Sequence, residues 1–294
     1  MITPFAEDDS VDRLSLRAET RFLLDAEVDG LVVGGSTGEG AGMSEDELAE
    51  IVSEVVETVD GRVPVIAGLI ADSSDEAVRL GLAAKRAGAV GLQVPPPHFH
   101  FVTAPEVLST YYRAITDATE LPLIIYNVIP WAQVAVESLH QLTLENPAII
   151  GVKQSGTNIH ALADLLANLK GVIKIFSAID DLLYPSFMLG ADGTISGTSS
   201  VFPRETVELY RCVQRGDLGR ALELHKAIVP VWRAIESPQF PSRVKFVMSL
   251  LGRQTGKPRG PFTWPVGEEA KALEDALRLG GLFDLTLQPS LHAR

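Results

Sequence analysis

The sequence predicts an α/β protein, a (β/α)8 TIM barrel with additional C-terminal helices. Three observations point there. Val/Ile-rich apolar runs recur with little polar alternation, which is how strands read when a parallel sheet is covered on both faces. Helical patterns carrying their own start and stop signals fill the gaps. The runs lie roughly 20 to 33 residues apart, the length of one strand–helix unit.

The runs are "DGLVVGG" (29–35), "VPVIAGL" (63–69), "VGLQVPP" (90–96) and "LPLIIYN" (121–127), then "IIGVKQS" (149–155), "IKIFSAI" (173–179) and "DGTISGT" (192–198). Between them, "SEDELAEIVSEVVETV" (44–59) has Ser44 as a cap, Glu47 three residues on, and a helical apolar stripe. "SSDEAVRLGLAAKRAG" (73–88) opens on serine caps and closes on Gly88, and "APEVLSTYYRAITDAT" (104–119) has proline near its start. An eighth strand should precede the helix at 11–28, and "MITPF" (1–5) is its only candidate. That strand is very short: either the barrel tolerates this, or the numbering starts inside the natural reading frame. Helical patterns continue at 203–215, 217–236, 240–251 and about 267–279, more than a barrel needs. The expected division is residues 1–203 for the barrel with its short first strand. Residues 204–294 then hold the final barrel helix and a C-terminal helical extension.

A doubly wound open sheet is the competing architecture, but its nucleotide signature is missing. "GGSTGEG" places glycines at 34, 35, 38 and 40, which gives no GxGxxG and no P-loop lysine.

Composition narrows the function. With 294 residues, 46% of them hydrophobic, the chain can bury a large core. Its net charge of −13 repels nucleic acid and anionic membrane, and no basic patch with interleaved aromatics offsets it. An anionic substrate therefore needs local donor groups. The lone cysteine, Cys212, has no disulfide or zinc partner and reads as a small apolar residue on a helix. The acidic start "MITPFAEDDS" does not resemble a signal peptide, and no apolar run reaches the ~18 residues of a membrane span. These features predict a soluble cytoplasmic protein.

Barrel chemistry sits at the C-terminal ends of the strands. Two lysines interrupt apolar strands. Lys174 lies near a strand's beginning, where its stem can snorkel to solvent. Lys153 lies at the other end, facing the mouth. Burial favours the neutral amine, which can attack a carbonyl carbon and form a Schiff base. A salt bridge to a carboxylate is the alternative. Tyr126 ends the preceding strand, so its ring should lie beside Lys153, where a phenol can carry protons; an ordinary core tyrosine is the alternative. In "GGSTGEG" the glycines expose backbone N–H groups and Ser36 and Thr37 add hydroxyls, together a socket for a carboxylate, or else a plain turn. Glu39 is expected to cap or hold that loop.

Taken in this order, the motifs resemble the dihydrodipicolinate synthase / N-acetylneuraminate lyase family of class I aldolases. The resemblance runs from "TPF" (3–5) to about residue 265, through "DGLVVGGSTGE", "VPVIAG", "YNV", "GVKQSG" and "GADGTIS". "GGSTGE" is the form typical of the lyase branch. Membership implies an (α/β)8 barrel with C-terminal helices, usually a homotetramer built as a dimer of dimers, and no metal or organic cofactor. It implies Lys153 as the Schiff-base lysine and Tyr126 as the general acid/base. Ser36 and Thr37 become the carboxylate-binding pair, with Thr37 also in the proton relay, and Ile195 presents a backbone carbonyl to the substrate.

Departures bear on the substrate. The synthase pattern "YNVPxRTG" uses its arginine on a substrate carboxylate. Here "YNVIPWAQV" puts Trp131 in that place, and an indole cannot replace a guanidinium fork. That argues against dihydrodipicolinate synthesis. Where the family's relay has an aromatic hydroxyl, "PPPHFH" puts His98, which can itself shuttle protons near neutral pH. His98 and His100 form an H-x-H pair, too few ligands for a metal without a nearby carboxylate or thiolate. Asp180 and Asp181 stand where the neuraminate lyase holds sugar hydroxyls, and serve equally well as caps for the helix that follows. Trp131 and Phe99, if they line the mouth, suggest a substrate tail with an aromatic or apolar part.

The sequence thus predicts a Schiff-base lyase acting on a 2-oxo acid, most simply pyruvate plus an aldehyde, or the reverse cleavage. A dehydratase or hydratase-aldolase on a 2-keto-3-deoxy acid is the close alternative. A non-catalytic 2-oxo acid sensor on the same barrel is the remote one, disfavoured by the retention of Lys153 and Tyr126.

Overall fold

The computed structural model describes residues 1–99, 104–156 and 158–282. Among these residues seven parallel strands follow one another in chain order: β1 (Leu31–Val33), β2 (Val65–Gly68), β3 (Gly91–Val94), β4 (Leu123–Asn127), β5 (Ile149–Ser155), β6 (Lys174–Ala178) and β7 (Gly193–Thr194). They curl with helices packed outside them, the TIM-barrel arrangement that the spacing of the apolar runs predicts. Residues 1–5 lie against β1 without forming a ladder: the Met1 amino group donates to the Val32 carbonyl at 2.8 Å, and Phe5 makes only isolated bridges to Val11 and Lys257.

The first helices are α1 (Arg13–Asp25), α2 (Glu45–Val59), α3 (Ser74–Arg86), α4 (Pro105–Thr119), α5 (Val136–Glu145) and α6 (Ile159–Leu169). Their ends follow from local chemistry. Ser44 and Glu47 form the expected reciprocal capping box on α2, and Ser73 caps α3. Gly88, just past α3, takes φ +99°, a conformation that a β-carbon would strain. After β6 come a 3-10 turn (Asp180–Leu182) and α7 (Leu183–Met188). After β7 come α8 (Gly197–Val201), α9 (Pro203–Gln214), α10 (Leu218–Ile235), α11 (Phe240–Leu250) and α12 (Gly267–Leu279).

Side chains alternate across each strand. Leu92, Val94, Leu123, Ile125, Val152 and Ile175 face the helices and share one apolar core with them. The opposite face carries Gln93, Ile124, Tyr126, Gly151, Lys153 and Phe176, the set that lines the barrel interior. A second apolar cluster gathers α7 and α9 to α12. Cys212 is buried there without a disulfide, and burial, with Glu208 beside it, pushes its thiol up to about 11. Lys174, at the first residue of β6, is exposed and pairs with Asp192 at 3.3 Å. Among the described residues, no helix is long and apolar enough to cross a membrane.

Candidate active site

The register of the sheet assembles the site. Tyr126 on β4 pairs with Lys153 on β5, Lys153 with Phe176 on β6, and Phe176 with Gly193 on β7. One inward row therefore reads tyrosine, lysine, phenylalanine, glycine. Lys153 is 9% exposed and Tyr126 5%. The Lys153 Nζ lies 3.8 Å from the centre of the Tyr126 ring. Among the described residues no carboxylate comes within ion-pair distance of that nitrogen. The salt-bridge alternative for Lys153 thus has no partner among the described residues.

Lys245 on α11 makes the contrast plain. It is fully buried, and its Nζ lies 2.6 Å from Glu39 Oε1 and donates to the Lys257 carbonyl at 2.8 Å. Burial lowers its pKa, and Glu39 opposes the shift. One buried lysine has its counterion; the other has the face of a phenol ring.

The phenol oxygen of Tyr126 lies 3.4 Å from Ser36 Oγ. Ser36 opens the 3-10 turn Ser36–Gly38 that follows β1. This turn needs its glycines: a β-carbon on Gly40 would fall 1.7 Å from the Gly34 carbonyl oxygen, and one on Gly68 would fall 2.8 Å from the Gly35 nitrogen. The amides of Gly38, Glu39 and Gly40 are spent inside the turn on the Gly35 and Ser36 carbonyls. Those of Ser36 and Thr37 have no acceptor among the described residues. Two free N–H groups and two hydroxyls therefore stand together, donors suited to a carboxylate. Glu39 ends the turn at φ 62° and holds it from below, accepting the Arg259 amide at 2.8 Å as well as pairing with Lys245. The resemblance gave the relay role to Thr37; the hydroxyl that reaches the phenol is that of Ser36.

Asp180 is 4% exposed, and its Oδ1 accepts the Thr198 amide at 2.8 Å in the first turn of α8. It caps a helix, but not the one that follows it in sequence. Burial raises its pKa, opposed by Thr198, Ser196 and the nearby charge of Lys153. Asp181 instead pairs with Arg233 on α10. Ile195 directly follows β7, and its amide extends the ladder to the Ser177 carbonyl at 3.3 Å.

On the rim, the sequence did not single out Asp72. Its Oδ1 accepts the amides of His98 at 2.6 Å and Phe99 at 2.8 Å and lies 3.3 Å from His98 Nδ1. Trp131 is 62% exposed, and its indole N–H donates to the His98 carbonyl at 3.0 Å. The loop bearing Trp131 is closed by Asn127, whose amide exchanges hydrogen bonds with the Val134 backbone and donates to Gln154 Oε1 at 2.8 Å. The only sequence signal for Asp72 is its place in "LIADSS", at the end of a strand run. His100 lies outside the described residues, among which no group of three His, Cys, Asp or Glu could hold a metal ion.

The profile of the dihydrodipicolinate synthetase family matches residues 1–279. The chain is 32% identical over 279 residues to the 4-hydroxy-tetrahydrodipicolinate synthase of Caldicellulosiruptor bescii, covering 94% of each chain. It is 33% identical over 274 residues to the probable 2-dehydro-3-deoxy-D-pentonate aldolase YjhH of Escherichia coli, covering 91% of this chain and 90% of that one. Among solved structures it is similar to dihydrodipicolinate synthase from Aquifex aeolicus (TM-score 0.89, 29% identity, 96% of both chains). It is also similar to YagE, an E. coli prophage protein of the dihydrodipicolinic acid synthase family solved with pyruvate (TM-score 0.90, 25% identity, 96% of both chains).

Proposed function

Because the chain belongs to the dihydrodipicolinate synthetase family, we propose that it is a lysine Schiff-base aldolase joining a pyruvate-type 2-oxo acid to an aldehyde, or cleaving the adduct. The observation that carries this reading is the buried Lys153 amine, without a counterion among the described residues and 3.8 Å from the Tyr126 ring centre.

The substrate carboxylate docks on the amides and hydroxyls of Ser36 and Thr37. The free amine of Lys153 attacks C2 of the keto acid, and loss of water leaves the Schiff base. A proton leaves C3, and the resulting enamine adds to the aldehyde carbon, whose oxygen takes up a proton. Water then releases the product and regenerates the amine. Tyr126 carries protons for these steps, with Ser36 linked to its hydroxyl. Ile195, His98, Trp131 and Asp180 are the further substrate contacts in this reading, and no cofactor is needed for any step.

Trp131 supports an aldehyde without a second carboxylate, since its indole N–H is engaged on His98 and offers no guanidinium. The likeness to a protein named as a probable 2-dehydro-3-deoxy-D-pentonate aldolase supports a 2-keto-3-deoxy acid as the adduct; dehydratase or hydratase-aldolase chemistry on such an acid by the same lysine is the second reading. A homotetramer acting in the cytoplasm is the working assembly.

The test is to incubate the protein with pyruvate, reduce with borohydride and measure its mass. A gain that vanishes in Lys153→Ala and persists in Tyr126→Phe, whose turnover falls by about 10² to 10⁴, supports the reading. No gain in the wild type would favour a binding protein without catalysis.

A further inference from the structure

The row that holds Lys153 continues past it. Phe176 stands beside Lys153 in register on the side away from Tyr126. Its ring lies across two glycines: a β-carbon on Gly151 would meet Phe176 Cε2 at 3.4 Å, and one on Gly193 would meet its Cδ1 at 3.5 Å. Ile124 Cγ1 comes within 3.5 Å of the same point on Gly151. Glycine on both neighbouring strands is what lets a large ring lie flat against the inner wall. The ring is half-buried although its strand neighbours Ile175 and Ser177 are fully buried, so part of it faces the barrel interior.

We propose that Phe176 is a specificity-determining residue that limits the size of the group on C3 of the 2-oxo acid. The inference rests on the Schiff-base reading above. A Schiff-base carbon is planar and carries two substituents, C1 and C3. The carboxylate donors, Ser36 and Thr37, lie on the Tyr126 side of the amine, because Ser36 Oγ touches the Tyr126 hydroxyl. With C1 turned that way, C3 turns toward β6. Strand β6 lies one strand spacing (about 4.8 Å between backbones) from β5, and Phe176 is its inward residue in register with Lys153. In the aldol adduct the new chain on C3 leaves toward the mouth, where the aldehyde arrives; a further carbon already on C3, as in 2-oxobutanoate, is the group that the Phe176 wall limits.

The experiment is competitive trapping. Wild type, Phe176→Ala, Phe176→Leu and Phe176→Tyr are each incubated with equimolar pyruvate and 2-oxobutanoate, reduced with borohydride, and weighed. One methylene in an apolar pocket changes selectivity by about 10-fold or more, so Phe176→Ala is expected to shift the adduct ratio at least about tenfold toward 2-oxobutanoate. Phe176→Leu should shift it about threefold, and Phe176→Tyr, which keeps the ring, should hold it within about twofold. The leucine variant preserves an apolar core and keeps the test alive should the alanine variant not fold. Trapping at Lys153 with the same ratio in every variant overturns the inference while leaving the Schiff base intact. No adduct in the wild type removes the Schiff-base reading and this inference with it.

Discussion

Glu39 and Lys245, separated by most of the chain, meet at 2.6 Å beneath the turn that carries Ser36 and Thr37. Removing one partner of a buried pair leaves the other charge unmatched, at a cost of about 3–5 kcal/mol. Lys245→Met is therefore expected to lower Tm and to raise the pyruvate concentration needed for half-maximal trapping, because the turn loses its anchor. The same substitution at Lys153, an amine with no carboxylate partner among the described residues, should leave Tm equal or higher while abolishing trapping. Thermal unfolding of the two variants side by side decides the matter. A lower Tm in Lys153→Met would show that this amine has a stabilising partner after all.

Asp72 orders the rim through its two short bonds to the amides of His98 and Phe99. In Asp72→Ala those amides lose their acceptor and the His98 ring its neighbour. Misplacing a contact group by an ångström costs up to about 10²-fold, so kcat/KM for the aldehyde should fall by about tenfold or more. Trapping of pyruvate alone should be unchanged, since the proposed mechanism holds the keto acid from the end of β1 and from β5. Asp72→Asn, which keeps one acceptor oxygen, should recover part of the loss. Equal damage to pyruvate trapping in the alanine variant would mean that Asp72 supports the whole mouth instead of the aldehyde side.

Asp180 makes stability depend on pH in a direction opposite to that of most carboxylates. Burial raises its folded-state pKa above 3.8, so between the two values the folded protein binds more protons than the unfolded chain. Stability from this group is present at low pH and is lost as pH rises through the raised value. Asp180→Asn removes that loss while keeping an oxygen for the Thr198 amide. The Tm of the variant minus that of the wild type should grow from pH 4 upward and then level off. A difference that shrinks as pH rises would mean that the carboxylate is stabilised in place.

The strands and helices are legible because their signals are local. The Val/Ile runs, the Ser44–Glu47 capping box and the glycine at 88 each act within a few residues. Lys153 and Lys174 separate for the same reason, since position along one strand decides which end of the barrel a side chain reaches. Tyr126 beside Lys153 needs only neighbouring strands in register. What escapes the sequence is what depends on distant partners. Glu39 reads as a loop holder, but nothing local names Lys245. Asp72 and His98 meet because the ends of β2 and β3 are adjacent. Choosing Ser36 over Thr37 as the hydroxyl at the phenol needs the twist of a 3-10 turn, which residue types do not specify. Asp180 does cap, as one reading of it holds, but it reaches forward to α8 because the chain folds the end of β7 back over it. Phe176 looks like any strand aromatic until the two glycines flanking it across the sheet are seen together.

The anchoring of Glu39 by α11 and by the Arg259 amide has an evolutionary corollary. The trailing helices and the barrel are not interchangeable cassettes. A recombination event that grafted a new tail onto this barrel would carry away the foothold of its proposed carboxylate-binding turn unless the new tail brought a lysine to the same place.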